Sequence, residues 1–341
     1  MYFGKKISFL ILIGLLVLAL AGCGSRPAAQ TGDQKQPQGQ TQRLSIGTGG
    51  TGGTYYPYGG AMAGIINKYV GGVEATAEVT GASVENARLL DSNQAQLGLL
   101  MNDVVYKAVK GEKPFEKAIE LRTLFVMYPN IFHAVTLEDN SVKAMGDLKG
   151  RKVSVGSPGS GTETMSKQVL EALGITYNDF QVFRLSFSEN TEALKNKVID
   201  VGIWSVGPPT SSIMDLATTH KIRILSFSPE EMTKVNQKFP YYTETKIPAG
   251  TYKGVDRDVT APSVWNSVIV HKNMPEDLAY KIVKAIFEHK DDLVQVYAGA
   301  KDTTPENALK HSVAPLHPGA VKYFKEKGLT VPQQLLPPEM K

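Results

Sequence analysis

Residues 44–56 read LSIGTGGTGGTYY, in which an apolar strand leads into a turn of glycine and threonine and then into a helix. A second stretch of the same kind, VSVGSPGSGTET, occupies residues 153–164. Glycines allow backbone N–H groups to approach a ligand closely, and the first turn of a helix presents unpaired N–H donors with a partial positive charge. Each turn is therefore a candidate anion site, and the two together predict a cleft that holds an anionic small molecule from both sides.

Strand and helix patterns alternate through the first three quarters of the chain, which predicts an α/β protein with mainly parallel sheets and covering helices. The predicted strands are residues 44–47, 75–79, 97–101, 121–127, 153–156, 181–185, 201–204 and 222–226. The predicted helices are residues 56–69, 84–92, 103–110, 162–173, 189–197, 211–219 and 275–288, with a last helix that begins near residue 317.

Two extended apolar stretches, 133–137 and 264–270, are predicted to be hinge strands between two Rossmann-like lobes. The first lobe then comprises residues 44–132 together with 271–341, and the second comprises residues 133–270 with the hinge strands. Open parallel sheets bind ligands outside the carboxyl ends of their strands, and both glycine-rich turns fall at such ends.

The first 22 residues have the pattern of a secretory signal: two lysines, an apolar run over residues 7–20 and small residues before Cys23. A membrane-spanning helix is less favoured because the run is shorter than the ~20 residues needed. Residues 20–23 read LAGC and resemble a bacterial lipobox, so Cys23 is predicted to carry a lipid; a simply cleaved signal is the alternative. Residues 23–43 are polar and predict a flexible tether. The predicted location is extracytoplasmic, anchored to the cell membrane.

Composition narrows the function further. Removal of residues 1–22 takes two of the 37 basic residues and none of the 33 acidic ones, which leaves a formal charge of +2. No basic run with interleaved aromatic residues indicates nucleic-acid binding. The histidines lack H-E-x-x-H spacing and Cys23 is the only cysteine, so no metal and no cofactor are predicted. We expect a monomer without internal disulfides.

A dinucleotide site is the main alternative for the first turn, because Gly47, Gly49 and Gly52 match G-x-G-x-x-G and Glu74 or Glu78 follows at a suitable distance. An exported protein has little access to NAD, and the turn has extra glycines beyond that fingerprint. The second turn lacks G-K-[ST], which disfavours a P-loop. A merely flexible turn is a fair alternative for one loop but a weaker one for both.

Catalysis finds little support in the sequence. No G-x-S-x-G elbow is present, and His133 is interpreted as a hydrogen-bonded structural residue rather than a base. The prediction is therefore a binding protein and not an enzyme. An extracellular hydrolase with a loop serine and a ligand-sensing lipoprotein are the alternatives.

The predicted site collects the turns at the carboxyl ends of the strands. Ser83 is also well placed to cap the following helix, and Trp204 can be either core or cleft wall. Tyr55, Tyr56 and Tyr128 are predicted to wall the apolar part of the solute. The predicted ligand-binding residues are Thr51, Gly52, Gly53, Thr54, Tyr55, Tyr56, Ser83, Asn86, Asn102, Tyr128, Ser157, Gly159, Ser160, Gly161, Thr162, Trp204, Gly207 and Pro208.

Several segments closely resemble, in one order, the solute receptors of TRAP transporters of the TAXI type. They are the first turn with YYP at 55–57, TGASVEN at 80–86, DLKGRKVSVGSPGSGTE at 147–163, IPAGTY at 247–252 and LHPGA at 316–320. The match runs from about residue 44 to residue 328.

This resemblance implies a type II periplasmic binding protein fold and a hinge-bending receptor that delivers its solute to a TRAP-type permease. It also implies a small carboxylate as the solute, since characterised relatives favour glutamate, glutamine or dicarboxylates such as 2-oxoglutarate. Two departures touch the expected pocket: Asn102 stands where many relatives have serine, and residues 204–206, WSV, replace a more aliphatic stretch.

Overall fold

The computed structural model describes residues 41–341. The predicted signal peptide, the predicted lipid attachment at Cys23 and all but the end of the predicted tether lie outside the described residues. Among those that are described, no helix combines the length and the apolar character that a membrane crossing requires.

The described residues form ten strands and eleven α-helices, with short 3₁₀ turns between some of them. The strands are β1 (Gln42–Gly47), β2 (Val73–Glu78), β3 (Leu97–Met101), β4 (Leu121–Leu137), β5 (Lys152–Ser154), β6 (Gln181–Phe183), β7 (Val201–Val206), β8 (Ile222–Ile224), β9 (Thr243–Ile247) and β10 (Val259–His271). The helices are α1 (Tyr55–Tyr69), α2 (Ser83–Asp91), α3 (Asn102–Lys110), α4 (Gly161–Ala172), α5 (Phe187–Lys195), α6 (Ser211–Thr219), α7 (Pro229–Lys238), α8 (Glu276–Glu288), α9 (Lys290–Val296), α10 (Pro305–His311) and α11 (Pro318–Glu326).

Two groups of parallel strands carry the architecture. In the first strand group, β1 pairs in parallel with β2 and β3, and in the second strand group, β5 pairs in parallel with β6 and β7. Helices connect successive strands within each group, which is the connection that parallel neighbours require. The predicted mixed α/β fold with parallel sheets and covering helices is confirmed.

Two long antiparallel strands lie between the groups. β10 pairs with β3 on one side and with β4 on the other, and β4 continues the pairing to β7. The strand order is therefore β2-β1-β3-β10-β4-β7-β5-β6. β4 and β10 contain the two stretches predicted as hinge strands, and the described residues belong to one compact unit.

The sequence prediction divided β4 into two pieces, residues 121–127 and 133–137, whereas the structure has one strand of 17 residues. Pro129, which lacks an N–H donor, falls inside it opposite Trp265. The register of β10 shifts between Trp265 and Ser267, and such irregularities are where a sheet accepts proline. The strand therefore continues past a residue that normally interrupts one.

Helices α7, α9 and α10 and strand β9 were not predicted. The signal for α7 is present in the sequence, because Ser228 accepts the Glu231 amide at 3.2 Å while the Glu231 carboxylate accepts the Ser228 amide at 2.8 Å. This reciprocal pair is a capping box, and Pro229 occupies the first helical position, where proline is favoured.

Candidate functional site

A cavity of about 210 Å³ lies where residues of both strand groups meet. We call it the inner cavity. Eight of the predicted ligand-binding residues line it: Gly53, Thr54, Tyr55, Ser83, Ser157, Ser160, Gly161 and Thr162. Its volume is below the roughly 300–1,000 Å³ of sites for drug-sized ligands, so it suits a small metabolite.

Four helices begin at the inner cavity. For each of them, the N-cap residue and the first helical residue both line it; these are Thr54 and Tyr55 of α1, Ala82 and Ser83 of α2, Ser160 and Gly161 of α4, and Ser186 and Phe187 of α5. A helix N-terminus carries the equivalent of about half a positive charge on its unpaired N–H groups. The inner cavity is therefore electropositive without needing a cationic side chain.

Several of these backbone donors are unused by the protein. Within residues 41–341, the amides of Ser83, Gly161 and Phe187 have no hydrogen-bond acceptor, whereas the Glu163 amide donates to Ser160 Oγ at 3.0 Å. Unpaired donors at a site of this kind are available to a ligand that brings acceptor oxygens. These free amides belong to helices of both strand groups: α2 in the first, and α4 and α5 in the second.

The inner cavity has no charged side chain. Its lining consists of glycine, alanine, valine, methionine, phenylalanine, tyrosine, serine, threonine and one asparagine, Asn130. Asn130 donates to the Ser205 carbonyl at 2.9 Å and accepts from Asn266 at 2.9 Å, so its amide is engaged by the protein. Neutral dipoles thus dominate the polar part of the wall, and apolar groups form the rest.

Gly161, the first residue of α4, lies close to residues of the first strand group and its helices. A Cβ atom added at this position would lie 2.6 Å from Ser83 Oγ and 2.5 Å from Met101 Sδ. Both distances are shorter than van der Waals contact, so only glycine fits without displacement of the neighbours. The start of α4 is therefore pressed against the start of α2.

Ser83 differs from its predicted role as a helix cap. It is the first residue of α2 rather than the N-cap, which is Ala82 with a φ of 73°. The Ser83 hydroxyl instead accepts the Met101 amide at 3.1 Å, because the end of β3 lies directly beside it. The residue joins two neighbouring turns at the cavity wall, while its own amide has no acceptor among residues 41–341.

Thr51 and Gly52 lie outside the inner cavity, in a shallow groove beside Asp215. The Gly52 carbonyl accepts the Thr210 hydroxyl at 3.2 Å and the Ser212 amide at 3.4 Å. This part of the first turn thus contacts the start of α6 rather than facing the ligand space.

Gly159 and Tyr56 also lie away from the lining. The Gly159 carbonyl accepts the amides of Val84 and Glu85, both at 3.2 Å, and thereby ties the second glycine turn to α2. Tyr56 points outward and is 36% exposed, so it does not wall the cavity.

Asn86 was predicted to face the cleft but faces inward. Its Nδ2 lies 3.0 Å from the Gly47 carbonyl, 2.8 Å from that of Thr48 and 2.9 Å from that of Leu99, while its Oδ1 accepts the Thr80 hydroxyl. The fully buried side chain holds β1 and β3 together beneath the first turn. A buried amide with all its hydrogen-bonding groups engaged has none left for a solute.

Asn102 and Trp204 are likewise used within the fold. Asn102 donates to the His311 carbonyl at 2.7 Å and accepts the Ser267 hydroxyl at 2.6 Å. Trp204 is fully buried, its Nε1 donates to Ser212 Oγ, and its ring stacks behind the cavity residue Phe187 with centroids 6.2 Å apart. Trp204 is therefore a core residue and not part of the cleft wall.

Tyr128, Gly207 and Pro208 lie behind the lining. The Tyr128 ring packs against Tyr297 with centroids 4.7 Å apart, and the Tyr297 hydroxyl donates to the Pro208 carbonyl at 3.3 Å. The Gly207 amide donates to the hydroxyl of Thr54 at 3.4 Å. These residues connect the start of α1 to the segment after β7.

Sequence reasoning did not identify twelve lining residues: Gly49, Gly50, Val79, Thr80, Gly81, Ala82, Met101, Asn130, Ser186, Phe187, Ser205 and Val206. A signal existed for Ser186 and Phe187, because Ser186 and Glu189 form a capping box directly after a strand. Gly49, Gly50 and residues 80–82 belong to turns that the sequence analysis singled out, and residues 205–206 belong to a segment expected to touch the pocket. Val79, Met101 and Asn130 have no distinctive pattern of their own.

Two buried titratable groups lie near the site but do not line it. Burial raises the pKa of Asp103 to about 6, against the opposing effect of the Tyr242 hydroxyl, which lies 2.8 Å from Asp103 Oδ2. Burial lowers the pKa of His133 to about 4; its Nδ1 is 2.7 Å from the Ile131 carbonyl and its Nε2 is 3.2 Å from the Tyr252 hydroxyl. Within residues 41–341, no group of three or more His, Cys, Asp or Glu residues is arranged to hold a metal ion.

Residues 46–328 match the model of the NMT1-like family, and the chain belongs to that family. Three solved structures resemble it over most of their length. They are the periplasmic aliphatic sulphonate binding protein SsuA from Escherichia coli (14% identity, 86% of this chain, 94% of that one, TM-score 0.43), a putative L-cystine ABC transporter from Listeria monocytogenes (16%, 77%, 98%, 0.48) and a TctC solute binding protein from Polaromonas (14%, 76%, 88%, 0.46). At these identities and TM-scores, the similarities carry no information about the solute.

Proposed function

We propose that this chain is an extracytoplasmic solute receptor that binds a small carboxylate in the inner cavity and delivers it to a TRAP-type membrane permease. The convergence of four helix N-termini on one cavity without charged side chains carries the proposal. Helix N-termini are recurrent binding sites for carboxylates and phosphates. The resemblance of the glycine turns to TAXI-type receptors supports the same function.

The carboxylate is proposed to accept hydrogen bonds from the free amides of Ser83 and Gly161, with the Thr162 side chain beside them. Hydrogen bonds to a charged group contribute about 1.5–3 kcal/mol each, so three or four of them support a micromolar Kd, which corresponds to about −8 kcal/mol. Tyr55, Val79 and the other apolar lining residues contact the remainder of the solute.

Closure of two lobes around the solute is part of the proposal, with residues 44–132 and 271–341 in one lobe and residues 133–270 in the other. The amides that face the inner cavity belong to both, so a carboxylate can accept from all of them only when the lobes meet. A ligand whose contacts exist only in the closed form shifts the equilibrium toward it.

The candidate solutes are glutamate, glutamine and related dicarboxylates such as 2-oxoglutarate. An ammonium group in the inner cavity would find no carboxylate side chain, because no lining residue is acidic. Burial of an unpaired charge is costly, so the lining favours 2-oxoglutarate over glutamate.

A hydrolase is less well supported. Serines 157, 160, 186 and 205 line the inner cavity, but no histidine, lysine, aspartate or glutamate lines it with them. A serine nucleophile needs an adjacent base to become reactive. The geometry therefore favours binding without turnover.

A thermal-shift screen of the purified chain against dicarboxylates, amino acids, polyamines and uncharged sugars tests the proposal. We expect stabilisation by small carboxylates and recovery of the ligand unchanged after incubation. Stabilisation by polyamines or sugars alone, with no response to any carboxylate, would contradict it. A transport assay with the permease then separates a transport receptor from a ligand-sensing lipoprotein.

A further inference from the structure

A second and larger depression lies on the other face of the loop formed by residues 157–160. We call it the outer groove; its volume is about 550 Å³. Six cationic side chains line it, three before β4 and three after it: Arg88, Lys107 and Lys113, then Lys167, Arg184 and Lys238. Its walls therefore come from helices and loops on both sides of β4 in the chain.

The outer groove has an excess of positive charge. Two carboxylates line it, and each is paired: Glu163 with Arg184 at 2.5 Å, and Glu171 with Lys238 at 2.8 Å. Arg88, Lys107, Lys113 and Lys167 form no ion pair with any residue from 41 to 341. Four unpaired cations are thus concentrated in one concavity.

The outer groove and the inner cavity share a wall. Ser160 lines both, and the neighbouring Gly159 carbonyl accepts the amides of Val84 and Glu85. Those two hydrogen bonds join the loop of one strand group to a helix of the other.

We propose that the outer groove is an anion-binding entrance, where an anionic solute is first captured before it enters the inner cavity. This inference rests on the proposed binding of an anion in the inner cavity. Charges of one sign in a concave surface raise the local concentration of the opposite ion and speed association by about 10- to 1,000-fold, with a steep dependence on ionic strength. Exposed lysines act on the association rate more than on the final affinity.

The kinetic test compares Lys107→Gln/Lys167→Gln with Lys301→Gln/Lys325→Gln. The second pair removes the same charge from two exposed lysines outside the outer groove. Association and dissociation rates of 2-oxoglutarate are followed by stopped-flow tryptophan fluorescence, since Trp204 stacks on the lining residue Phe187. Measurements run from about 20 to about 200 mM salt, where the Debye length falls from roughly 20 Å to roughly 7 Å.

For the groove variant we expect an association rate about tenfold lower at low salt and a flatter salt dependence. Because a solute crosses an entrance in both directions, the dissociation rate should fall by a similar factor, and Kd should change little. The control variant should retain the wild-type association rate. An unchanged association rate in the groove variant, or a change confined to dissociation, would overturn the proposal.

A second measurement is independent of the inner cavity. Sulfate is titrated into the chain with ¹³C-methylated lysines, and the NMR signals of Lys107 and Lys167 are followed. Saturable shifts at these two lysines but not at Lys301 and Lys325 support the entrance, and uniform or absent shifts overturn it. If sulfate saturates the groove lysines but no carboxylate binds the chain, the proposed function fails while the outer groove remains an anion site.

Discussion

The inner cavity and the outer groove lie on the two sides of one loop, yet their positive potential comes from different groups. The inner cavity uses buried backbone amides at four helix ends and has no charged side chain. The outer groove uses exposed lysine and arginine side chains. Backbone dipoles are fixed in direction and need no desolvation of a cation, so they select by geometry, whereas flexible surface cations attract any anion.

The largest expected effect concerns Asp103, the buried carboxylate that acts electrostatically on Tyr55 of the inner cavity and on Lys107 of the outer groove. Its pKa rises from 3.8 to about 6 in the folded protein, so the folded state binds more protons than the unfolded state in that range. The stabilisation is complete below about pH 4 and is lost as the pH rises through about 6, an effect of about 3 kcal/mol.

Asp103→Asn removes the titrating group while it keeps the shape of the side chain. We expect the free energy of unfolding of this variant, measured in urea, to change much less than that of the wild type between about pH 4 and pH 7. Parallel pH profiles for the two proteins would show that Asp103 is not the carboxyl that binds the proton.

Gly161→Ala should damage the inner cavity without touching the outer groove. The added methyl group would press on Ser83 and Met101 and keep α4 from approaching α2. Overpacking of this kind costs about 1–3 kcal/mol, so the Kd for 2-oxoglutarate should rise about tenfold to 100-fold by calorimetry.

Gly64→Ala is the matched control, since no atom lies within 4 Å of its added Cβ on the exposed side of α1. It should leave the Kd unchanged. Equal affinity of the Gly161→Ala variant would place the solute somewhere other than between α2 and α4.

The matched solutes 2-oxoglutarate and glutamate differ only in the keto and ammonium groups at one carbon. Because the lining has no acidic residue, we expect calorimetry to show 2-oxoglutarate binding about tenfold more tightly than glutamate, a difference of about 1.4 kcal/mol. Glutamate binding with equal or greater affinity would mean that neutral acceptors in the wall suffice for the ammonium group.

The smallest expected effect is the response of the equilibrium affinity to salt. Buried interactions are screened much less than exposed ones, so the Kd for 2-oxoglutarate should change by only about two- to threefold over the salt range in which the association rate changes strongly. A parallel loss of affinity and association rate, with constant dissociation, would instead show that the exposed charges stabilise the bound solute and do not act only during its capture.

The elements that the sequence predicts well are those whose pattern is local. β3 was predicted with its observed bounds because a short apolar run is enclosed by polar turns. The two glycine turns indicated, to within one residue, where α1 and α4 begin. The continuation of β4 through Pro129 could not be predicted in this way, because it depends on the register irregularity of its partner β10.

The site was predicted less completely than the fold because side-chain direction is a tertiary property. A polar residue one turn into a helix can face a cleft or can hydrogen-bond to backbone carbonyls. Asn86 does the second because the ends of β1 and β3 lie beside it, and the sequence does not show their position. Asn130 lies within the long strand β4, and nothing in the neighbouring sequence indicates that it reaches the cavity wall.

The hydrogen bonds from Val84 and Glu85 to the Gly159 carbonyl have a consequence for the energetics of closure. They stabilise contact between the loop and α2 whether or not a solute is present, by about 0.5–1.5 kcal/mol each. In the proposed two-lobe receptor, these bonds therefore bias the empty molecule toward the closed arrangement. A solute has to provide only the remaining free-energy difference, and so a small metabolite with few contacts is enough to complete it.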